Sequence, residues 1–429
     1  MRTALSKKWG NEILKLPRKI LFLLTILILV YLLNCFTALR LTHDTIRYLL
    51  MEEWMEKGFS SGANASKDFL PYGYVVMLYV LSNLHLLHSF VIVFINELYL
   101  FGALYFVQKI FIGYVQGWQL VIYTLLSWLT IKFSITVLSE MQYLFFSTGA
   151  LYFYQSYRLR KLYKFLLWAC IFFIAAILTR AIGITLLMAV CFSLLIENKQ
   201  QIGKYLLRNK ALTVILAACA TAIIYFSREL RLYDYMQFFL SPLSRYGMGL
   251  LIYIMRYHLV SWAEIFLNIP SSKITFVPSG LLNAVYIIIG ILSLSAVFYL
   301  MFGKKIKTPL VVKYYLLTYL LIVFCWPFYE SRFWLPIIPL LFSLILQTPA
   351  PTTFAARTIT FVLRWIYIST GIFVLSYYTY TSLDKRTLAI TQDAGRWRNE
   401  YETHFFGRPL SDTASKKNEE VIRLLKKID

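Results

Sequence analysis

Long runs of apolar residues, separated by short polar segments, make up most of this chain from residue 20 to residue 380. A helix needs about 20 apolar residues to cross a bilayer, and runs of comparable length recur throughout this region. The pattern predicts an all-α, polytopic bundle of about eleven transmembrane helices. Their approximate bounds are 20–40, 87–108, 118–138, 141–156, 164–180, 182–197, 211–227, 281–302, 314–329, 333–347 and 358–380.

Three longer polar stretches lie outside these runs. They are a first loop (41–86), a long loop (228–280) rich in Tyr and Arg, and a tail (381–429) of mixed charge and weak pattern that ends in an amphipathic stretch, 418–428. Thr42–Lys57 has helical spacing, with Ile46, Leu49, Leu50 and Trp54 on one stripe. This spacing predicts an amphipathic helix in the membrane interface. The chain thus divides into a transmembrane module, 1–380, and a short tail, 381–429.

Charge sets the predicted orientation. The formal net charge of +22 would suggest nucleic acid in a soluble chain, but here the cations fall in short loops between apolar runs. Such loops are typically cytoplasmic. The basic tract 158–161 lies on the cytoplasmic side together with the N-terminus only if the stretch 71–113 holds a short interfacial helix and one span, 87–108. All three longer polar stretches, and with them the C-terminus, are then extracytoplasmic.

Composition supports the membrane class and gives no sign of a metal centre. Hydrophobic residues make up 59% of the chain, charged residues 15%, and the mean hydropathy is +0.63. These values are typical of a polytopic membrane protein. The five cysteines lie in or at the ends of apolar runs, and the five histidines are scattered. We expect free thiols and no cofactor, and the sequence does not indicate a divalent cation.

A cluster of polar residues follows the first apolar run. Asp44, Arg47 and Tyr48 form a D-x-x-R-Y pattern at the predicted lipid–water boundary, where charged groups are costly unless they pair or line a polar cavity. Asp44 could simply cap a helix, and Arg47, one turn later, could simply pair with it. The functional alternative is a proton acceptor placed beside a cation.

Three further polar turns fall on the same predicted side of the membrane. Glu140 begins one span, where a helix dipole would favour an acid. Arg180 lies between two apolar runs, where it could snorkel. Glu330 and Arg332 lie two residues apart and could neutralise each other. Several arginines at interfacial depth suit a lipid-linked phosphate, because the guanidinium fork matches phosphate oxygens.

Taken together, these segments resemble the GT-C superfamily of polytopic glycosyltransferases, in its aminoarabinose-transferase and protein O-mannosyltransferase-like branch. The resemblance covers about residues 20–350. It is carried by the segments D-T-I-R-Y (44–48) with Met51, Met55 and Gly58, K-D-F-L-P-Y-G-Y (67–74), T-R-A-I-G (179–183) and E-S-R-F-W-L-P (330–336). Four positions depart from the family pattern. Thr45 stands where a second acid is usual, the paired proline at the end of the loop is Leu70-Pro71, Ala181 replaces a proline, and Phe333 replaces a tyrosine.

The resemblance implies a GT-C-like fold and transfer of a sugar from a polyprenyl-phosphate donor to an acceptor hydroxyl of a glycan, lipid or protein. It implies that Asp44 is the general base, which suits an inverting displacement with a phosphate leaving group. Arg180 and Arg332 are then the phosphate contacts, and Arg47 is an orienting residue. Further candidates for sugar or acceptor contacts are Tyr48, Lys67, Glu140 and Glu330, with His43, His258, Arg245 and Arg256 as weaker ones.

Two other function classes stay open at this point. An O-antigen-type polymerase or ligase would use a lipid-diphosphate glycan and the arginines of 228–280. A transporter of lipid or sugar would bind its substrate near the bilayer midplane. The second class is disfavoured by the expectation that ionisable groups lie at span ends. The compact size favours a bacterial plasma membrane, although an endoplasmic reticulum membrane fits the same topology.

Overall fold

The computed structural model describes residues 17–59, 68, 70–197, 213–214, 217–218, 221, 225, 232–303, 306–349, 352–410 and 418–429. These residues form eighteen α-helices and four short 3₁₀ helices and contain no strand, so the all-α prediction is confirmed for this part of the chain. The α-helices are α1 (Arg18–Asn34), α2 (His43–Glu56), α3 (Tyr72–Asn83), α4 (Ser89–Ile110), α5 (Gly117–Leu125), α6 (Trp128–Ser134), α7 (Glu140–Arg160), α8 (Tyr163–Thr179), α9 (Ile184–Glu197), α10 (Leu232–Tyr246), α11 (Met248–Leu267), α12 (Ser279–Phe302), α13 (Leu310–Cys325), α14 (Ile338–Ile345), α15 (Phe354–Leu383), α16 (Lys385–Thr391), α17 (Arg398–Phe406) and α18 (Glu419–Ile428).

Four of the described helices are long and apolar enough to cross a membrane, namely α4, α11, α12 and α15. In α12 and α15 only 22% and 17% of the most apolar window is buried inside the protein, so their apolar side chains form an outer surface. Such a surface suits contact with lipid rather than water. These helices indicate membrane association, whereas the total of about eleven spans stays a prediction.

Helix α7 lies near the centre of the packing and carries Glu140 at its first turn. It packs against α4 and α8, while α9 packs against α13 and α11 against α12. Phe106 on α4 contacts the rings of Phe145, Tyr152 and Phe153 on α7 and of Phe172 on α8. Aromatic contacts of this kind, with centroids 4.5–7 Å apart, stabilise the helix pairs beyond simple burial of area.

The first loop and the stretch after it have the expected helices. The predicted helix over Thr42–Lys57 is observed as α2, His43–Glu56, and it packs against α3. Helix α3 has 12 residues, about 18 Å, which is too short for a hydrocarbon core of about 30 Å. Helix α4 has 22 residues. One short helix followed by one long apolar helix is the arrangement that the charge argument favoured.

The predicted span 118–138 is wrong as a single helix, because the chain breaks into α5 and α6 at Leu126–Ser127. Asn268, with φ of 59°, ends α11 in the left-handed region and fills the break. Its amide donates to the Leu126 carbonyl (2.8 Å) and to the Tyr367 carbonyl (3.0 Å), and its carbonyl accepts from the Trp128 N–H (2.8 Å). A distant side chain thus satisfies backbone groups that an unbroken helix would pair internally.

The predicted long loop 228–280 is also different, since most of it is helical. It contains α10 and α11, and α11 is among the four helices long enough to cross a membrane. Polar residues such as Arg256 and Glu264 interrupt its apolar pattern, which is why the hydropathy of the sequence favoured a loop. Most of the predicted span 211–227 falls outside the described residues.

The tail is more ordered than its weak pattern suggested. Its described residues form α16, α17 and α18, which pack on one another, and α18 also packs on α2 of the first loop. The tail and the first loop therefore lie on the same face of the protein. A shared face agrees with the prediction that both are on one side of the membrane.

Two ionisable residues correct the expectation that such groups lie only at span ends. Glu97 lies inside α4 with 1% of its surface exposed, and the Cys35 thiol donates to its carboxylate at 3.3 Å. Lys132 lies in α6, with its ammonium 5.9 Å and 5.0 Å from the ring centroids of Trp128 and Phe133. Isolated charges of this kind are averaged out when a whole apolar run is scored.

Candidate active site

The start of α2 is fixed against the turn that precedes α7. Thr42 is the N-cap of α2, because its hydroxyl oxygen accepts from the Thr45 N–H at 3.1 Å. The Thr45 hydroxyl donates to the Val137 carbonyl at 3.1 Å, and the Tyr48 hydroxyl donates to the Ser139 hydroxyl at 2.9 Å. Since Thr42 caps the helix, the carboxylate of Asp44 is not needed as a cap and is available for other contacts.

Asp44 lies between two arginines. One carboxylate oxygen accepts from Arg47 Nη1 at 2.8 Å, and the other accepts from Arg332 Nη2 at 2.5 Å, although Arg332 lies 288 residues further along the chain. Only 14% of the Asp44 side chain is exposed. Charge-assisted hydrogen bonds in such partly desolvated positions are stronger than neutral ones.

Arg47 also holds a second carboxylate. Its Nε donates to Asp68 Oδ2 at 2.7 Å and its Nη2 donates to Asp68 Oδ1 at 2.5 Å, which is the bidentate fork geometry. Asp68 Oδ1 further accepts from the Leu70 N–H at 3.0 Å. The end of the first loop is thereby tied back to α2. The sequence analysis missed Asp68 as a site residue, although its acidic side chain stands in the second of the resembling segments.

Glu140 and Arg180 form a second, more buried pair. Arg180 Nη1 donates to Glu140 Oε1, and 1% of the Glu140 side chain is exposed. Arg332 Nε lies 3.6 Å from the same oxygen, so Glu140 links two arginines. The other carboxylate oxygen, Oε2, is buried and has no hydrogen-bond partner among the described residues. It is an acceptor that a hydroxyl could use.

Arg332 thus lies at the centre of the group. It contacts Asp44, Glu140 and Glu330, and the last of these is half exposed. The guanidinium carbons of Arg180 and Arg332 are 5.7 Å and 5.6 Å from the centroid of the Phe333 ring. A ring at this distance attracts both cations, so Phe333 helps to keep the two arginines side by side.

Helix α11 and its neighbours hold the segment that carries Arg332. Glu264 accepts from the Ser331 hydroxyl at 2.8 Å, and its other oxygen accepts from the N–H and the hydroxyl of Ser271. The Trp334 indole donates to the Ser261 hydroxyl at 2.9 Å, and the Tyr319 hydroxyl donates to the Phe333 carbonyl at 2.7 Å. The short 3₁₀ helix Ser331–Ile337 is therefore fixed on both sides of Arg332.

One glycine allows the first loop to reach Arg180. At Gly73, a Cβ would lie 2.7 Å from the backbone of Leu178 and Thr179, directly before Arg180. Any larger residue would push α3 away from this turn. The Gly73 carbonyl also accepts from the Gln142 amide at 3.3 Å. The segment that follows Asp68 is therefore packed directly on the two turns that carry Glu140 and Arg180.

We refer to the seven ionisable residues that meet here as the charged cluster. They are Asp44, Asp68, Glu140 and Glu330 with Arg47, Arg180 and Arg332. Four carboxylates against three guanidinium groups leave one formal negative charge in excess. The arrangement places carboxylates beside guanidinium groups in a largely buried position. Guanidinium groups can bind an anion, and a carboxylate can accept a proton.

The electrostatics keep Asp44 ionised. Burial raises the pKa of Asp44, but the neighbouring cations Arg332 and Arg47 outweigh burial and hold this pKa below its usual value. Burial lowers the pKa of Arg332 and of Arg180, but the neighbouring acidic groups, Glu140 foremost, together outweigh burial and hold both pKa values above the usual range. Asp44, Arg180 and Arg332 are therefore charged near neutral pH.

The structure brings together six of the residues that the sequence singled out, namely Asp44, Arg47, Glu140, Arg180, Glu330 and Arg332. Tyr48 lies beside them but is 4% exposed, and its ring packs on Tyr74 with centroids 5.0 Å apart. Its position indicates structural support rather than contact with a ligand. Lys67 falls outside the described residues.

The weaker candidates lie elsewhere. His258 is buried in α11, where its Nε2 lies 2.9 Å from the Trp326 carbonyl, so it is structural. His43 is exposed on the first turn of α2. Arg245 and Arg256 are exposed and make no ion pair with the charged cluster in the described part of the chain. Among the described residues no group of three or more His, Cys, Asp and Glu is placed to hold a metal ion.

We compared the chain with known protein families, curated proteins and solved structures. No family model, curated protein or solved structure matches it. The resemblance to GT-C glycosyltransferases thus rests on the segments 44–58, 67–74, 179–183 and 330–336.

Proposed function

We propose that this protein is a membrane glycosyltransferase, which moves a sugar from a polyprenyl-phosphate donor to an acceptor hydroxyl with inversion at the anomeric carbon. The observation that carries the proposal is the position of Asp44, held between Arg47 and Arg332 at the edge of the Arg180–Glu140 pair. A carboxylate for the proton and forked cations for the phosphate then lie within one hydrogen-bonded group.

The membrane arrangement is part of the proposal. It has about eleven spans in a GT-C-like bundle, with the N-terminus cytoplasmic and with the charged cluster and the tail at the extracytoplasmic interface of a bacterial plasma membrane. Four long apolar helices support a membrane location, and the packing of α18 on α2 supports a common side for the tail and the first loop. The bilayer then delivers a lipid-anchored donor to the cluster laterally.

Donor binding would proceed by exchange of anions. Every arginine of the charged cluster is paired with a carboxylate, and the oxygens of a phosphate match the same guanidinium fork. Arg332 is best placed for the exchange, because it contacts three carboxylates, of which Glu330 is half exposed and can leave towards solvent. Arg180 lies near the same Phe333 ring, with its guanidinium carbon 5.7 Å from the ring centroid.

The chemical step needs one base and no acid. The acceptor oxygen attacks the anomeric carbon, the bond from that carbon to the phosphate oxygen breaks, and the polyprenyl phosphate leaves with the electron pair. Asp44 takes the proton of the acceptor hydroxyl. The arginines stabilise the charge that develops on the leaving phosphate, in a position where water is largely excluded.

The donor would also activate the base. Free Asp44 has a lowered pKa because Arg332 and Arg47 face it, so it is ionised but a weak base. When Arg332 turns to the phosphate, Asp44 loses its 2.5 Å partner and its pKa rises towards the usual range. The carboxylate is then more basic only while the donor is bound, which protects the site from unproductive proton uptake.

The test is a donor panel. The purified protein in lipid nanodiscs is incubated with radiolabelled polyprenyl-phosphate sugars and, in parallel, with lipid-diphosphate glycans, and discharge of the lipid is measured. Asp44→Asn serves as the matched inactive variant. Discharge of a monophosphate donor by the wild type alone supports the proposal. Discharge of diphosphate donors only would favour the polymerase or ligase class, and movement of lipid without bond cleavage would favour a transporter.

A further inference from the structure

We propose that the tail helix α18 is a positioning element for the candidate active site, and that it acts by clamping α2, the helix that carries Asp44 and Arg47. The kinetic side of this inference rests on the proposed function. The structural side does not, since it concerns contacts between two described segments that lie about 370 residues apart in the chain.

Charge complementarity joins the two helices. Arg423 forms a bidentate pair with Glu53, from Nη1 to Oε1 at 2.9 Å and from Nη2 to Oε2 at 2.7 Å. Lys427, one helical turn later, donates to Glu52 at 3.0 Å and to Glu56 at 3.1 Å. The two cations on α18 thus form ion pairs with three acidic residues in the last turn and a half of α2.

Without α18 these acids would repel one another. Glu52 and Glu53 have side chains that are 0% and 8% exposed, and charged carboxylates at such depth require a partner. Glu52 and Glu56, four residues apart on one face of the helix, are like charges whose repulsion destabilises it further. The acidic surface of α2 is therefore a binding surface for a basic helix, and α18 has the matching spacing of four residues.

Apolar packing fixes the depth of α18. Its inner face buries Val421, Ile422, Leu424, Leu425 and Ile428, each at most 4% exposed. The outer face carries charged residues, so the helix is strongly amphipathic and has a defined orientation. Burial of these five side chains fixes the position and rotation of α18. Its two cations can therefore pair with the acids of α2 in only one alignment of the two helices.

The tail also holds the segment directly before α2. The Tyr401 hydroxyl donates to the Leu39 carbonyl at 2.5 Å and accepts from the Leu41 N–H at 2.8 Å. Asp429 accepts from the Leu39 N–H at 2.7 Å, and the Gln392 amide donates to the Leu41 carbonyl at 2.8 Å. Asp44 is thus flanked by tail contacts on both sides, three residues after Leu41 and nine residues before Glu53.

This geometry predicts a specific kinetic signature. Nine helical residues span about 14 Å, so a small tilt of α2 at Glu53 moves Asp44 at its far end. Arg180 and Arg332 lie on other elements, and none of the tail's hydrogen bonds or ion pairs in the described residues reaches them. Loss of the clamp should therefore lower kcat, because the base is misplaced, and should change the KM for the donor much less.

The experiment uses charge reversal and its rescue in the full chain. Arg423→Glu and Glu53→Arg are each expected to lower kcat by about tenfold or more, since misplacement by about 1 Å can cost as much as a hundredfold. The double variant restores the pair with reversed charges and should recover most of the turnover. Lys426→Glu is the matched control, because Lys426 is exposed on the same helix and makes no ion pair with α2 among the described residues.

A second measurement is independent of catalysis. Hydrogen–deuterium exchange of residues 43–56 should rise in each single variant and return to the wild-type level in the double variant. Unchanged exchange in the single variants would overturn the clamp, even if no donor is ever found. Raised exchange with unchanged turnover in an active enzyme would show that α18 merely stabilises the protein. Failure of the donor panel alone would reject the proposed function and leave the clamp to the exchange data.

Discussion

Replacing Asp44 by Asn is the most direct perturbation of the candidate active site. Asn has nearly the same shape, so it removes the negative charge and the ability to accept a proton without creating a cavity. The change affects two contacts, with Arg47 at 2.8 Å and with Arg332 at 2.5 Å. The amide oxygen can still accept from one of these arginines.

The structure sets the expected loss of stability at a modest value. A hydrogen bond to a charged group contributes about 1.5–3 kcal/mol. Arg47 keeps its bidentate pair with Asp68, and Arg332 keeps Glu330 and Glu140, so neither cation is left alone. We therefore expect a destabilisation of about 2 kcal/mol, which is less than the total stability of about 5–15 kcal/mol of a typical folded protein. The variant should stay folded.

The expected loss of activity is much larger. A positioned general base contributes about 10²- to 10⁴-fold to the rate, and a thousandfold loss corresponds to about 4 kcal/mol in the activation barrier. Unfolding of a small fraction of the protein cannot produce such a loss. Turnover of the polyprenyl-phosphate donor should therefore fall at least a hundredfold, whereas the melting temperature should move by only a few degrees.

The assay combines transfer of a radiolabelled sugar with a melt followed by intrinsic tryptophan fluorescence, for which the chain offers ten tryptophans. Asp68→Asn is the control, because it makes the same change in the other carboxylate of Arg47 and does not touch Arg332. We expect it to lose less than about tenfold in turnover. If Asp44→Asn turns over at a rate close to that of the wild type, Asp44 is not the general base.

Three further outcomes follow from named contacts. Arg332→Gln should weaken donor binding and raise the pKa of Asp44, because it removes the cation that most lowers this pKa. The base must be deprotonated, so the acid limb of kcat/KM should begin at a higher pH in the variant, and a coincident pH–rate profile would contradict this. Arg180→Met should destabilise the protein by about 3 kcal/mol, since it leaves the buried carboxylate of Glu140 with only a 3.6 Å partner; an unchanged melting temperature would disprove it. Asn268→Ala should also cost about 3 kcal/mol, because it removes three hydrogen bonds at the break between α5 and α6, and thermal melts against Asn268→Asp, which keeps an acceptor, would test this.

Sequence reasoning reached six of the seven residues of the charged cluster, because they are charged residues that stand out against apolar surroundings. Asp44, Glu140, Arg180 and Arg332 are isolated charges at the ends of apolar runs, and a single charge-based topology places them on one side. Their mutual contacts could not be predicted, because the separations along the chain, 288 residues from Asp44 to Arg332, carry no local signal.

The missed features share one physical reason. Contacts between distant segments determine all three: the role of Asp68 in the site, the helix break filled by Asn268, and the packing of α18 on α2. The stretch 418–428 is amphipathic, but nothing in its spacing identifies α2 as the helix on which it packs. Likewise the run 118–138 is apolar on average, and its division is explained by a side chain 142 residues after Leu126. Local sequence patterns predict individual helices, whereas the contacts between distant segments depend on how the whole chain packs.

The excess of carboxylates in the charged cluster has a consequence for selectivity. Inorganic phosphate or sulfate in solution meets a site whose cations are already neutralised and whose net charge is negative, so it gains little by entering. A donor anchored in the bilayer competes on different terms, because its lipid keeps the phosphate at a high effective concentration beside the cluster. The carboxylates of the cluster would then compete with any incoming anion for the three arginines, and only an anion delivered from the membrane would displace them.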